Sequence, residues 1–245
     1  MGDQKIVCTT RNNMKRGKKY VAIAQKIDHK KKYSLAEAIK IIKENRFASF
    51  DETVEIHIKT NVDFKKGDQQ IRSTVNLPFG TGKTKKIAVI TSTKVEEAKK
   101  AGADLVGGEE ILEKIKSGKF FDSQNGINVL VATPEMMPKL ASVAKILGPK
   151  GLMPNPKTET VTLKIKETVE ALKKGKAAFK NDNSGNIHQA VGKISFEDEK
   201  LAKNIEVFLA EIEKSKPTSL KGKLIFGISL CSTMGAGIKI DWEKK

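Results

Sequence analysis

The sequence predicts a mixed fold in which a split α+β domain is interrupted by an inserted α/β domain. Both ends of the chain contain strands that alternate apolar and polar residues, together with amphipathic helices. The middle contains short strands that are apolar throughout and alternate with helical segments, which is typical of a parallel sheet covered by helices. We therefore assign residues 1–80 and 176–245 to the split domain and residues 81–175 to the insertion, joined by two strands that could act as a hinge.

The N-terminal elements begin with a basic arm. Residues 1–32 hold ten basic and two acidic residues, which predicts a mobile or partly helical segment. Ser34 and Glu37 have the spacing of a capping box, so a helix begins there. Alternation of apolar and polar residues predicts half-buried strands over residues 53–60 and 71–77.

The middle of the chain alternates strand and helix signals. Apolar runs predict buried strands, and helical spacing of apolar residues predicts the helices between them. Strands are predicted at residues 87–90, 105–106 and 129–132, and helices at residues 95–101, 111–116 and 136–147.

The C-terminal elements return to the first pattern. Residues 177–195 predict two strands around the turn at residues 183–186, and residues 199–215 predict an amphipathic helix. The last alternating strand covers residues 224–231, and its spacing places four apolar side chains on one face: Leu224, Phe226, Ile228 and Leu230.

The composition indicates a polyanionic partner. The chain has 46 Lys and Arg residues against 29 Asp and Glu residues, a net charge of +17, and only four of the cations are Arg. Because Lys acts as a point charge and Arg as a planar fork, most of this charge suits phosphates. Aromatic residues make up only 5%, which argues against a wide base-stacking platform.

Other classes of protein are disfavoured by the same composition. Cys8 and Cys231 lie far apart, so neither a disulfide framework nor a zinc site is expected, and a reducing cytoplasm fits. No apolar run reaches the roughly 18 residues of a membrane span, so we expect no membrane partner.

Two features resemble catalytic motifs without completing them. Residues 80–84 (GTGKT) match the end of a phosphate-binding loop, but Leu77 stands where the full pattern has Gly, and the next segment is predicted to be a strand. His29, His57 and His188 are scattered, and the latter two are interpreted as surface or RNA-facing strand residues.

Five blocks together resemble one protein family. The blocks are residues 50–57 (FDETVEIH), 101–109 (AGADLVGGE), 146–156 (ILGPKGLMPNP), 181–182 (ND) and 232–235 (STMG). The family they resemble is the bacterial-type ribosomal protein numbered first in the large subunit, the protein of the mobile side stalk, and the resemblance runs from about residue 14 to residue 241.

The resemblance implies a fold and a function. It implies that the split domain binds RNA and that the insertion is a Rossmann-like three-layer α/β domain. The implied partners are large-subunit ribosomal RNA, exit-site tRNA, whose release the family assists, and the mRNA of the protein's own operon, which many members repress. It further implies a non-enzymatic, cytoplasmic, ribosome-associated protein that is monomeric within the large subunit and uses no cofactor or metal.

The resemblance also assigns RNA-contact positions. Hydroxyl groups there can meet base edges and 2′-hydroxyls, and the carboxylates would discriminate rather than attract. From the residues alone, Phe50 could instead staple its strand, Met234 fill the core and Asp182 form a turn. Ser49 stands where the family often has Lys. The implied positions are Phe50, Thr53, Glu55, Asp182, Ser229, Thr233, Met234 and Gly235.

The residues alone leave two other functions open. A nucleotide-dependent enzyme could be built on the inserted domain, although no G-x-G-x-x-G follows a predicted strand. A non-specific nucleic-acid coater would bind unrelated RNAs with equal affinity.

Overall fold

The computed structural model describes residues 17–28, 30–63, 67–92, 94–116, 126–220 and 222–242. Residues 1–16 of the predicted basic arm, and with them Cys8, lie outside the described residues, as does His29. The helices are α1 (Lys18–Ala24), α2 (Leu35–Glu44), α3 (Val95–Lys100), α4 (Glu109–Lys116), α5 (Met137–Ala141), α6 (Ala144–Leu147), α7 (Ile165–Lys174) and α8 (Asp198–Lys214). The strands are β1 (Thr53–Thr60), β2 (Arg72–Asn76), β3 (Ile87–Ile90), β4 (Leu105–Gly107), β5 (Val129–Ala132), β6 (Lys176–Lys180), β7 (Asn186–Lys193), β8 (Ile225–Ser232) and β9 (Ile238–Ile240).

An antiparallel four-stranded sheet in the order β7-β1-β8-β9 carries residues from both ends of the chain. Its inner face presents buried Val54, Ile56 and Ile58, which join one hydrophobic cluster with apolar residues of α2 and α8. The predicted capping box of α2 is confirmed: the Glu37 amide donates to the Ser34 hydroxyl (3.3 Å) and the Ser34 amide donates to the Glu37 carboxylate (3.2 Å).

A two-stranded antiparallel sheet is formed by β2 and β6, which pair from Arg72–Lys180 to Asn76–Lys176. Strands on either side of the turn at residues 183–186 are confirmed. However, β6 meets β7 only through a bridge between Asn181 and Ile187. The chain therefore leaves this two-stranded sheet towards β3 and returns to it from α7 at neighbouring points.

A parallel sheet in the order β4-β3-β5 occupies the middle of the chain, as predicted. Alternate residues of β3 face two hydrophobic clusters: Ala88 and Ile90 pack with residues of α4, α5 and α6, whereas Ile87 and Val89 pack with residues of α3 and α7. The sheet is thus the central layer of three. The cluster beneath the four-stranded sheet draws its residues from positions 27–77 and 177–240 instead.

Some local predictions differ from the structure. Residues 136–147 form a 3-10 turn and two short helices rather than one helix, with Pro134 and Pro138 at the start of the first two. The prediction for Phe226 is wrong, because the pairing of β1 with β8 shifts between Lys59 and Thr60, and Phe226 is 61% exposed. None of the described helices is long and apolar enough to cross a membrane.

Candidate nucleic-acid interface

One end of the four-stranded sheet brings together residues 50–53 and 232–235. Thr233 follows β8 and binds the first residue of β1 through both backbone and side chain. Its amide donates to the Thr53 carbonyl (3.1 Å), and its hydroxyl accepts from the Thr53 amide (3.0 Å). Thr53 itself is only 6% exposed. The geometry therefore gives Thr53 a positioning role and leaves Thr233 at the surface.

Glu52 is a buried residue of this end that sequence reasoning did not single out. Its side chain is fully buried and accepts hydrogen bonds from the amides of Ala48 (3.4 Å) and Met234 (3.1 Å). The carboxylate thus joins the loop before β1 to the loop after β8. The sequence signal that could have identified Glu52 was its place near Phe50 in the block at residues 50–57.

Phe50 and Met234 project from these two loops. Phe50 is 50% exposed and Met234 is 49% exposed, so neither is a core residue. The alternative of a core filler for Met234 is therefore wrong, whereas half exposure leaves the alternative of a strand staple for Phe50 open. Gly235 is partly buried, and a Cβ there would overlap the Ser232 hydroxyl, so a larger residue at this position would require the Ser232 side chain to move.

The outer face of the sheet is polar along β1. Glu55, His57 and Lys59 alternate with the buried residues. Ser229 lies on β8 opposite His57 and also faces Lys239 of β9. Glu55 and Ser229, two of the predicted contacts, are both partly exposed and share this face.

A chain of polar contacts crosses the same face from β7 to β8. The Nδ1 atoms of His57 and His188 lie 2.8 Å apart, and Nε2 of His57 lies 3.0 Å from the Cys231 sulfur. Residues scattered in the sequence thus meet in space. Burial, and then the charge of His188, lower the pKa of His57, while Glu55 opposes the shift. Burial, and then Glu55, raise the pKa of the Cys231 thiol to about 11, so the sulfur stays protonated at neutral pH.

Asp182 closes this polar chain at the turn before β7. Its carboxylate accepts from the amides of Asn186 (2.7 Å) and Ser184 (2.9 Å), and lies 3.4 Å from Nε2 of His188. The bond from the Asn186 amide, supported by those from Ser184, His188 and the Asn186 side chain, lowers the carboxyl pKa. Asp182 is therefore a turn residue, as its sequence context allowed, and also a charged group on the predicted face.

The predicted positions thus fall into two groups rather than one cluster. Glu55, Ser229 and Asp182 lie along the outer face of the sheet, and the others lie at its end: Phe50, Thr53, Thr233, Met234 and Gly235. Within the described ranges, no group of three or more His, Cys, Asp or Glu side chains could hold a metal ion.

The loop that resembles a phosphate-binding motif does not open a helix. Residues 80–84 are followed by β3, which begins at Ile87. Gly80 and Gly82 have positive φ angles of +64° and +72°, and a Cβ on Gly82 would lie 2.6 Å from Cγ of Lys193. The positive φ angles explain these glycines. In the described part of the chain the loop leads into a strand, not into a helix N-terminus that could bind a nucleotide phosphate.

The fold and this face define a class: a basic α/β protein whose antiparallel four-stranded sheet has one polar outer face. The model of the ribosomal protein L1p/L10e family matches residues 41–236, and the chain belongs to that family.

Known relatives agree closely with this assignment. Three are named large ribosomal subunit protein uL1. The protein from Mesoplasma florum is 50% identical over 215 residues, covering 88% of this chain and 93% of the relative. The protein from Mycoplasma capricolum is 47% identical over 92% of this chain and 98% of its own length. The protein from Thermosipho africanus is 49% identical over 93% of this chain and 97% of its own. The family resemblance is thereby confirmed, and these relatives are ribosomal proteins rather than enzymes.

Proposed function

We propose that this protein is a cytoplasmic component of the large ribosomal subunit that binds ribosomal RNA through the outer face and end of its four-stranded sheet. One observation carries the proposal: Phe50 and Met234 stand half-exposed beside the exposed residue Thr233, at the end of a polar sheet face. Exposed apolar side chains next to hydrogen-bonding groups suit the sugars and bases of an irregular RNA. The net charge of +17 supplies the attraction to phosphates.

Each side chain then has a distinct role. Phe50 and Met234 contact bases or sugars, and the Thr233 and Ser229 hydroxyls meet base edges or 2′-hydroxyls. Glu55 and Asp182 repel a misplaced phosphate and accept only from a donor, such as a guanine edge or a 2′-hydroxyl. Gly235 lets the RNA approach the backbone, and Thr53 positions Thr233.

We further infer that the RNA-binding unit is a split domain, residues 1–80 with 176–245, interrupted by a Rossmann-like domain at residues 81–175. Three separate hydrophobic clusters support this division. So does the contact between the two connections, since a Cβ on Gly175 would lie 2.6 Å from the Gly80 Cα.

The family further suggests two roles that involve other RNAs. We propose that the protein, as a monomer within the large subunit, contacts exit-site tRNA and assists its release. We also propose that it represses its own operon by binding the mRNA there through the same face. Competition between ribosomal RNA and that mRNA for the protein tests the second role, because one shared site requires mutually exclusive binding.

The test of the main proposal begins with RNA crosslinked to the native protein. The recovered large-subunit segment is then used to measure the affinities of the Phe50→Ala and Met234→Ala variants. Each variant is expected to lose about 1–3 kcal/mol of binding, the scale of a lost base contact. Leu163→Ala is the matched control, because Leu163 is 56% exposed but lies in the inserted segment.

Two outcomes contradict the proposal. If both variants bind as well as wild type, the RNA site lies elsewhere. If an unrelated RNA of equal length binds equally well, the protein is a non-specific coater.

A further inference from the structure

A basic cleft lies where the two connections between the sheets meet. It consists of two adjoining cavities of about 370 and 530 Å³ that share Thr81, Lys85 and Asn128. Arg72 lines the first cavity, and Lys83 and Lys193 line the second. These six residues are called the lysine cleft below. Cavities of about 300–1,000 Å³ are the usual size of ligand sites in proteins.

The lysine cleft holds cations from three parts of the chain and no described acid. Arg72 comes from β2, Lys193 from β7, and Lys83 and Lys85 from the loop before β3. No Asp or Glu is among the described residues lining either cavity. Four like charges around one opening repel one another unless an anion lies between them.

The lysines are held at the cleft by specific contacts. Nζ of Lys85 donates to the Lys176 carbonyl (2.5 Å), and Nζ of Lys193 donates to the Asp51 carbonyl (2.9 Å). Each ammonium has three N–H groups, so these bonds leave donors available. Burial lowers the pKa of Lys85, a desolvation that a bound anion would offset.

Neutral donors complete the arrangement. The Asn128 side-chain oxygen accepts from the Lys86 amide (3.0 Å), which leaves the carboxamide N–H₂ group as the side that donates. Within the described part of the chain, the amides of residues 82–84 donate to no backbone carbonyl. Backbone amides beside lysines are the donors that phosphate oxygens accept from.

We propose that the lysine cleft binds phosphate oxyanions. This function differs from nucleotide hydrolysis, because the loop at residues 80–84 leads into β3 rather than a helix, and its residues 81–84 line the second cavity. The phosphate would belong to the backbone of bound RNA or to a small free phosphate. Only the RNA source rests on the proposed function. Lys193 belongs to β7 of the four-stranded sheet and Lys85 to the inserted segment, so a phosphate bound by both would also tie the inserted segment to that sheet.

The first arm of the test uses inorganic phosphate and pyrophosphate with the full chain. Amide NMR signals of Gly82, Thr84 and Asn128 are followed at constant ionic strength, balanced with chloride. Saturable shifts are expected in wild type, with affinity at least tenfold weaker in the double variant Lys83→Gln/Lys85→Gln. The control Lys40→Gln/Lys166→Gln makes the same charge change at two exposed lysines outside the cleft. Lys83→Gln alone serves if loss of the Lys85 contact disturbs folding.

The second arm measures RNA affinity against salt for the same variants. If the cleft holds an RNA phosphate, the double variant lowers the slope of log affinity against log salt by about two, one per lost contact, and the control lowers it less. A positive result in either arm supports the proposal and identifies the source of the phosphate. The proposal is overturned if phosphate causes no saturable shifts that depend on the cleft lysines and if the double variant leaves the salt slope unchanged. Met234→Ala reports separately on the RNA face, so failure of the cleft leaves the proposed function standing.

Discussion

At the residue scale, stability and recognition fall on adjacent side chains. Thr233 ties β8 to the start of β1 through its amide and its hydroxyl, while Met234 next to it is half exposed. A substitution at Met234 therefore tests recognition, whereas one at Thr233 tests the fold as well.

Thr233→Val is expected to destabilise the protein by about 1–3 kcal/mol, because the Thr53 amide loses its acceptor in a partly buried position. Thr233→Ser keeps the hydroxyl and should recover most of the loss. Chemical denaturation of both variants measures the difference. Equal stability of Thr233→Val and wild type would show that the hydroxyl contributes nothing to the fold.

The histidine pair predicts a pH dependence of stability. The folded pKa of His57 lies below its ordinary value of 6.5, so the unfolded chain binds the proton more readily. Stability is therefore lost as the pH falls below about 6.5. His188, Glu55 and Cys231 act on the His57 ring, whereas Asp182 contacts His188. The pKa of the Asp182 carboxyl is lowered by its hydrogen bonds, so its titration stays below this pH window.

His57→Gln should reduce the loss of unfolding free energy between pH 7.5 and pH 5.5. His188→Gln should give an intermediate result, because it removes only the second cause of the shift. Urea denaturation at both pH values provides the measurement. An unchanged pH dependence in His57→Gln would rule out its titration as the source.

At the scale of elements, the two connections between the sheets depend on close backbone packing. Gly175 ends α7 with a φ of +119°, and a Cβ there would lie 2.6 Å from the Gly80 Cα and 2.9 Å from the Leu77 carbonyl oxygen. Both the conformation and the contact therefore exclude larger residues.

Gly175→Ala is expected to cost more than the roughly 1 kcal/mol typical of a positive-φ glycine, because steric overlap adds to backbone strain. Gly151→Ala is the matched control, since Gly151 has a φ of +69° but nothing lies within 4 Å of an added Cβ. Thermal unfolding of both variants separates strain from overlap. If the two variants lost similar stability, the steric overlap at the connections would contribute nothing to the loss.

The elements that the sequence predicted are those with a strong period or a cap. The capping box fixed the start of α2, and continuous apolar runs located β3 and β5. Strand β9 was not predicted, because it presents only two spaced apolar residues to the core. Helix α7 was missed although Ile165, Val169 and Leu172 recur at helical spacing on one buried face. Phe226 was placed inward because a register shift between paired strands leaves no trace in one strand's alternation.

The candidate site was less predictable than the fold. Its exposed residues came from family resemblance, because Phe50 and Met234 carry no period that distinguishes surface from core. The contact between His57 and His188 depends on pairing across β1 and β7, residues 131 positions apart. Buried Glu52 likewise acquires its role only when Met234 is brought beside it by β8.

At the scale of the whole molecule, we expect the proposed RNA site to be separable from the inserted segment. Every predicted contact position lies at residues 50–55 or 182–235, and the core beneath them takes none of the described residues from 81–175. Asn204 holds the segment that leads from the split domain into the insertion. Its side chain accepts from the Phe79 amide (3.2 Å) and donates to the Gly80 carbonyl (3.0 Å). The segment that leads back from the insertion is held by the pairing of Lys176 with Asn76.

Residues 1–80 joined to 176–245 by a short glycine linker should therefore fold. The linker has little distance to span, because Gly80 and Gly175 are in contact, so loop closure costs little. Removing the insertion does lose the Lys176–Glu159 ion pair and the bond from Lys85 to the Lys176 carbonyl. These contacts lie at the junction rather than in the core.

The joined fragment is expected to bind the cognate RNA within about two orders of magnitude of the intact protein, or roughly 2.7 kcal/mol. Equilibrium affinity is the quantity to compare, because lysines in both parts accelerate association without conferring specificity. The isolated 81–175 fragment should bind weakly, lose affinity steeply with salt, and fail to distinguish cognate from unrelated RNA. Specific binding by that fragment, together with none by the joined fragment, would reverse the assignment of the RNA site to the four-stranded sheet.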